Sequence, residues 1–284
     1  MSFSPVIPSS GLTGWNFLQR TLDRQEDLFS KSPEINREIE YFKENIGNIK
    51  TVDDFMGDRR IQRVALGAFG LGDEIDKGAF IRKVLEEGIR APTSTENASF
   101  AVRLNNPDYL ALARNFDFTD GEFSLSDSLI EELTDKFERQ NFEIEVGEVD
   151  DTMRLSLNFE RRIGEYAGQG STEDGGWFSL MGSVPMRTVL EGAFGLPSQF
   201  SALDIDRQKE LLKDKAFAKF GEKSIEVFND PENVQSLIKD YLLRSELENG
   251  PSASTPGSTA LTLLGGGSSG LGSAGLFNIL LSNQ

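Results

Sequence analysis

Two short motifs in this 284-residue sequence resemble the nucleophile sites of serine hydrolases. Residues 266–270 read GGSSG and fit the pattern G-x-S-x-G, which requires a strand before the serine, a helix after it and a histidine elsewhere. The chain has no histidine, and this motif lies in a Gly/Ser-rich stretch. Ser236 and Lys239 fit S-x-x-K, but the companion motifs S-D-N and K-T-G are missing. Because each motif lacks the residues that it would need elsewhere in the chain, neither indicates a serine nucleophile.

Two further patterns could bind ions or phosphate groups. The segment 115–121, NFDFTDG, has a calcium-loop composition, but placing Gly121 at the required sixth position puts Phe116 and Phe118 where oxygen ligands belong. Gly70–Leu71–Gly72 begins a dinucleotide fingerprint, yet Ile75 stands where its third glycine belongs. The visible carboxylate doublets, at 53–54, 131–132 and 150–151, are adjacent residues that do not face each other on a helix. We therefore expect no cofactor or metal site.

Composition excludes further kinds of chemistry. The chain has no cysteine, which excludes disulfides, thiolate metal sites and a cysteine nucleophile. The absence of histidine removes the commonest general base and the commonest metal ligand. A net charge of −17 repels phosphate backbones and anionic membrane surfaces. We expect a protein that is not an enzyme and that does not bind nucleic acid.

The sequence also bears on location. No apolar run approaches the length of a membrane span, and the N-terminal residues lack the basic and apolar regions of a cleaved signal peptide. We therefore expect a protein that stays in the cytoplasm or is exported without a cleaved signal.

The body of the chain reads as a series of helices. Ser32 before Pro33, Asn106 before Pro107 and Asp230 before Pro231 are typical helix starts, with a capping residue followed by proline. Strand signals are scarce. The best is the alternation of Phe142, Ile144 and Val146 with acidic residues, but the same stretch continues a helical stripe from Ile130, and we favour a helix.

One helix ending occurs twice. Residues 65–71 read ALGAFGL and residues 190–196 read LEGAFGL. Apolar residues from Ile61 to Phe69, and from Met186 to Phe194, follow the helical spacing i, i+3, i+4, i+7, i+8. In each copy a glycine then ends the helix and a leucine folds back, which is the Schellman pattern, and an earlier glycine indicates a close approach by another backbone. The residues of this structural repeat are Gly67, Phe69, Gly70 and Leu71, and Gly192, Phe194, Gly195 and Leu196.

The repeat suggests an internal duplication, because Pro107 and Pro231 have almost the same offset as the two copies. We predict an all-α helical bundle built from two diverged related halves. The expected divisions are a flexible N-terminus over 1–14, a first helical half over 15–122, connecting helices and a second half over 123–248, and a tail over 249–284.

The predicted tail differs from the rest in composition. No charged residue follows Glu248, and the last residues are rich in glycine and serine, which favours a flexible, disordered segment. Apolar residues interrupt it, and an ordered state on a partner is the alternative to plain disorder. The residues that we predict to contact a partner are Leu276, Phe277, Ile279 and Leu280.

Several motifs, in order along the chain, resemble a family of alphaproteobacterial proteins known as domain of unknown function 1217. They are GWNFL at 14–18, DRRIQRVALGAFGL at 58–71, AFIRKVL at 79–85, VGE at 146–148, MRL at 153–155 and EGAFGLP at 191–197. The resemblance covers most of 11–248. It implies an all-helical fold and genes that commonly lie among flagellar genes, and it assigns no catalytic residues.

Two functions follow as expectations. The first is a non-enzymatic flagellum-associated accessory or assembly protein that acts through contacts with flagellar proteins. The alternative is a cytoplasmic ligand-binding or protein-binding module that is unrelated to motility and uses a groove between the two halves.

Overall fold

The chain folds into helices throughout the part that the structure describes. This computed structural model describes residues 3–89, 98–104, 106–119, 123–168 and 174–249. Within these ranges there are thirteen α-helices and no strand, so the all-α prediction is confirmed. The helices are α1 Gly11–Ser30, α2 Pro33–Asn45, α3 Val52–Gly57, α4 Arg59–Ala68, α5 Gly78–Glu87, α6 Phe100–Leu104, α7 Pro107–Asn115, α8 Asp127–Val149, α9 Asp151–Gly168, α10 Gly175–Gly182, α11 Val184–Phe194, α12 Ile205–Phe220 and α13 Pro231–Asn249.

Side-chain caps fix several helix starts. Thr51 forms a capping box at the start of α3, and Asp58 accepts hydrogen bonds from two backbone N–H groups of α4. Asn106 accepts a hydrogen bond from the backbone of Asp108 at the start of α7. The helix after Ser32 begins at Pro33, but the Ser32 side chain makes no capping hydrogen bond. Proline at the first position therefore marks that start by itself.

The helices surround two hydrophobic cores. The N-terminal core contains buried residues between Phe42 and Phe137, and the C-terminal core contains buried residues of α1 together with those between Phe142 and Leu242. Helix α8 contributes to both cores, because Phe137 lies in the first and Phe142 in the second. The stretch 142–146 is part of this helix and not a strand, as favoured from the sequence.

The N-terminal residues differ from the flexible segment expected over 1–14. From residue 3 onward they pack against the C-terminal core. The ring of Phe3 lies 5.2 Å from that of Phe29 and 6.0 Å from that of Phe142, centroid to centroid. Gln25 also accepts a hydrogen bond from the Val6 backbone N–H at 2.8 Å and donates one to the Val6 carbonyl at 3.2 Å. These contacts order the segment before α1.

Helix α1 also differs from the expected division, which placed it in the first half. Trp15, Leu18 and Phe29 lie in the C-terminal core, and α1 packs on α8, α9 and α13. Helix α1 therefore packs beside α13, the last helix of the described residues.

Both copies of the repeated helix ending form Schellman motifs. Gly70 and Gly195 have positive φ angles of 74° and 59°. The Leu71 N–H donates to the Leu66 carbonyl at 2.8 Å, and the Leu196 N–H donates to the Glu191 carbonyl at 2.9 Å. The two helices therefore end through the same backbone hydrogen bonds.

The earlier glycine of each copy faces an aromatic ring and not the backbone that we expected. A methyl group on Gly67 would lie 2.8 Å from the Phe137 ring on α8, and one on Gly192 would lie 2.6 Å from the Tyr241 ring on α13. Each glycine makes room for a ring of the helix that packs against it. Because these helices follow the two copies at different distances along the chain, the relation between two halves stays a prediction.

Replacing Gly67 or Gly192 by alanine is expected to destabilise the fold. The new methyl group overlaps a packed ring, and such overpacking costs about 1–3 kcal/mol. At contacts shorter than 3.0 Å this cost outweighs the roughly 1 kcal/mol that alanine gains over glycine in a helix. A methyl group on Gly164 in α9 would meet no atom of a packed neighbour within 4 Å, so Gly164→Ala should instead stabilise the protein. Urea denaturation of the three variants checks this; stabilisation by Gly67→Ala or Gly192→Ala would contradict the close approach.

The predicted tail falls outside the described residues, except for Asn249 at the end of α13. The predicted partner-contact residues Leu276, Phe277, Ile279 and Leu280 also lie outside them. Among the helices of the described ranges, none combines the length and the apolar character that crossing a membrane requires.

Candidate functional site

A polar cleft lies where the two cores meet. It consists of three neighbouring cavities that share Arg161 of α9. The first, of about 190 Å³, lies between the end of α4, α7, α8 and α9, and the second, of about 400 Å³, lies between α1, α8 and α9. The cleft is therefore bounded by elements of both cores.

A buried ion pair forms one wall of the first cavity. Arg162 of α9 donates hydrogen bonds from both terminal nitrogens to the carboxylate of Asp108 in α7. The two side chains are only 9% and 10% exposed. Asp108 lies in the first turn of α7, and the guanidinium of Arg162 lies beside Gly70 at the end of α4. Each charge is thus near the helix end that favours it.

Burial and pairing shift the pKa values of these two side chains in opposite directions. Burial raises the pKa of Asp108, and the charge of Arg162 opposes that rise. Burial alone would lower the pKa of Arg162, but the carboxylate of Asp108 outweighs it and the pKa of Arg162 is raised. Arg162 is therefore positively charged at every physiological pH.

The neighbouring arginine makes a second pair on the other side of α9. Arg161 donates to both carboxylate oxygens of Glu143 in α8, at 2.5 and 2.9 Å, and the Glu143 side chain is 3% exposed. Arg161 also donates to the side-chain oxygen of Gln140 at 2.8 Å, and Asn158 donates to Glu143 at 3.2 Å. Consecutive residues of α9 thus connect it to α8 and α7.

The wider part of the cleft is acidic. Burial raises the pKa of Glu26, against the effect of Arg139, and burial followed by the charge of Asp135 raises the pKa of Glu138. Near this region, Glu160 accepts hydrogen bonds from Gln19 and Gln235, both at 2.6 Å. Burial raises the pKa of Glu160 and outweighs those two bonds.

These raised pKa values predict that the protein is more stable in mild acid than at neutral pH. A carboxyl with a raised pKa binds a proton more tightly in the folded state. Its stabilising contribution is complete below the unfolded pKa, about 4.5, and is lost as pH rises through the folded pKa. The carboxyls with lowered pKa values, such as those of Asp54 and Asp174, lose their contribution only below about pH 4.

Thermal unfolding at pH 5.5 and 7.5 checks this, with a higher melting temperature expected at pH 5.5. The variant Glu160→Gln should reduce the difference, whereas Glu131→Gln, at an exposed position of α8, should leave it unchanged. A melting temperature that is higher at pH 7.5 would contradict the prediction.

Only the first copy of the predicted structural repeat reaches the cleft. Phe69 and Gly70 line the first cavity, and Gly67 lies against Phe137. Gly192, Phe194, Gly195 and Leu196 of the second copy lie on the side of α13 and line none of these three cavities.

The charged residues of the cleft were not predicted from the sequence. A signal for Arg162 was present, since it lies on the same helical stripe as Leu155, Phe159 and Tyr166, which are all buried. A charged residue on a core-facing stripe indicates a buried partner. No comparable signal marks Asp108, because its position in the first turn of a helix suggests only capping.

The chemistry that the cleft offers is charge recognition. Within the described ranges, no group of three or more acidic, histidine or cysteine side chains could hold a metal ion. The cleft presents guanidinium, ammonium, amide and carboxylate groups on rigid helices.

Comparisons with known proteins give a family and a related structure. The family model described as "Protein of unknown function (DUF1217)" matches residues 68–234, more than half of the chain. The fold is similar to the crystal structure of a protein from Agrobacterium tumefaciens, with a TM-score of 0.68 and 28% sequence identity over 87% of this chain and 99% of that one. No curated protein matches the sequence.

Proposed function

The chain belongs to the DUF1217 family, and from this premise we propose that it is a non-enzymatic, flagellum-associated accessory or assembly protein. It would act through contacts with flagellar proteins, in the cytoplasm or after export without a cleaved signal. The resemblance to a family whose genes commonly lie among flagellar genes supports the association with the flagellum.

The observation that carries the protein-binding role is the apolar outer face near the end of α13. Leu243 and Leu247 are one helical turn apart and are 39% and 82% exposed. Leucines at this spacing on an outer helix face are typical contacts of a helix with a protein partner. The predicted contact residues Leu276, Phe277, Ile279 and Leu280 come later in the sequence.

Localisation tests the proposal. The protein carries an internal tag in the polar segment 91–96, and the tag is followed in culture supernatant, in flagellar basal structures and in cytosol. The same fractions are taken from a strain that lacks the flagellar export apparatus. Signal in the basal structures, or outside the cell only when the apparatus is present, supports the proposal. Signal confined to cytosol, together with normal swimming of a deletion strain, would refute it.

A second candidate function rests on the cleft. A cytoplasmic ligand-binding module was the alternative from the sequence, and a charged cleft does lie between the two cores. A ligand that binds only the folded state raises the melting temperature by mass action. A small molecule that raises the melting temperature of the wild-type protein, but not of a cleft variant, would favour this function.

A further inference from the structure

We propose that the first cavity of the cleft binds a small oxyanion with more than one negative charge, such as phosphate or a small dicarboxylate. This inference deepens the second candidate function and does not depend on the flagellar one. It rests on which charged and polar groups line the cavity and on which of them are already paired.

The charge balance of the cavity lining is opposite to that of the whole chain. The whole chain has 46 acidic and 29 basic residues. The lining of this cavity instead contains more basic than acidic side chains, namely Arg114, Lys136, Arg161 and Arg162 against Asp108 and Glu165. In a strongly acidic protein, such a site concentrates anions locally.

Two of the four basic side chains already form ion pairs with buried carboxylates of the protein. Arg162 is paired with Asp108 and also contacts Glu165 at 3.4 Å, and Arg161 is paired with Glu143. These pairs hold α7, α8 and α9 in place around the cavity. They form its rigid wall but leave the binding of an anion to other groups.

The remaining cations are available. Arg114 of α7 forms no ion pair with any residue of the described ranges. Among the residues that the structure describes, Lys136 of α8 forms an ion pair only with Glu132, one turn earlier, and those side chains are 36% and 57% exposed. An exposed pair of this kind contributes little, so Lys136 can exchange Glu132 for a bound anion.

A neutral donor lies in the same cavity. Arginine has only donors, so the contact with Arg161 fixes the side-chain oxygen of Gln140 toward that residue. The amide nitrogen of Gln140 then points the other way, and its N–H groups have no acceptor among the residues that the structure describes. Arg114, Lys136 and Gln140 thus line one cavity from two helices, and all three side chains carry hydrogen-bond donors.

The size of the cavity limits the ligand. A volume of about 190 Å³ is below the range of about 300–1,000 Å³ that drug-sized ligands occupy. It suits a compact anion and not a nucleotide. Charge-assisted hydrogen bonds from the three donors would provide the specificity.

Titration calorimetry of the full-length protein tests the proposal, with sodium phosphate and sodium succinate as separate probes. Sodium chloride keeps the ionic strength constant. We expect saturable binding of at least one probe, and the tighter of the two identifies whether the site prefers a phosphate or a dicarboxylate. Absence of saturable binding for both probes would overturn the proposal.

Variants locate the site. Arg114→Gln and Lys136→Gln should each weaken binding about tenfold, as expected for the loss of one charge-assisted hydrogen bond. Arg24→Gln removes an equal charge from an exposed position of α1 and should leave binding unchanged. Equal weakening by all three variants would show general charge screening and would overturn the site. Because all three side chains are at least partly exposed, the variants should fold, and a thermal melt verifies it.

Discussion

Arg162→Gln is expected to lower the free energy of unfolding by about 3–5 kcal/mol, because it leaves the carboxylate of Asp108 buried without its partner. The two side chains are about nine-tenths buried and share two hydrogen bonds. Urea denaturation measures the change.

Two further variants distinguish loss of the partner from loss of the charge. Arg59→Gln removes an arginine whose pair with Asp76 is exposed, at 58% and 80%, and should cost less than about 1 kcal/mol. The double variant Asp108→Leu/Arg162→Met removes both buried charges and should regain most of the stability that Arg162→Gln loses. A double variant that is as unstable as the single one would show that the pair itself, and not the stranded charge, dominates.

Phe137→Ala is expected to destabilise both cores together, by about 3–5 kcal/mol. Phe137 is 2% exposed in the N-terminal core, where it packs on Gly67. Both tryptophans, Trp15 and Trp177, lie in the C-terminal core. Because α8 belongs to both cores, unfolding of one should unfold the other, and tryptophan fluorescence should report damage that is made in the N-terminal core.

The measurement compares two probes of the same denaturation. Fluorescence follows the C-terminal core, and circular dichroism follows all helices, so coincident midpoints in Phe137→Ala support a single cooperative unit. Phe217→Ala, at a 54% exposed position of α12, should leave both midpoints nearly unchanged. A circular dichroism transition that shifts while the fluorescence midpoint does not would show that the two cores unfold separately.

The sequence predicted what local physics determines. Proline at the first helical position placed the starts of α2, α7 and α13, and the glycine–leucine pairs placed the ends of α4 and α11. These features depend on neighbours within a few residues, so the local sequence is enough to predict them.

Features that depend on distant residues could not be predicted in the same way. Gly67 indicated that something packs closely, but Phe137 lies too far along the chain for the sequence to identify it. The position of α1 in the C-terminal core has the same origin, because it follows from contacts with α9 and α13. The charged cleft was missed because Asp108 and Arg162 come together only in the folded chain.

The adjacent arginines of α9 have a consequence for how the chain excludes wrong arrangements. Turning α9 by a single residue rotates its side chains by about 100° and would move Arg161 from Glu143 and Arg162 from Asp108 at once. Each misaligned packing would then bury two guanidinium groups and two carboxylates without partners. An apolar helix could pack on its neighbours in several similar registers, whereas the two ion pairs favour a single register of α9 against α7 and α8.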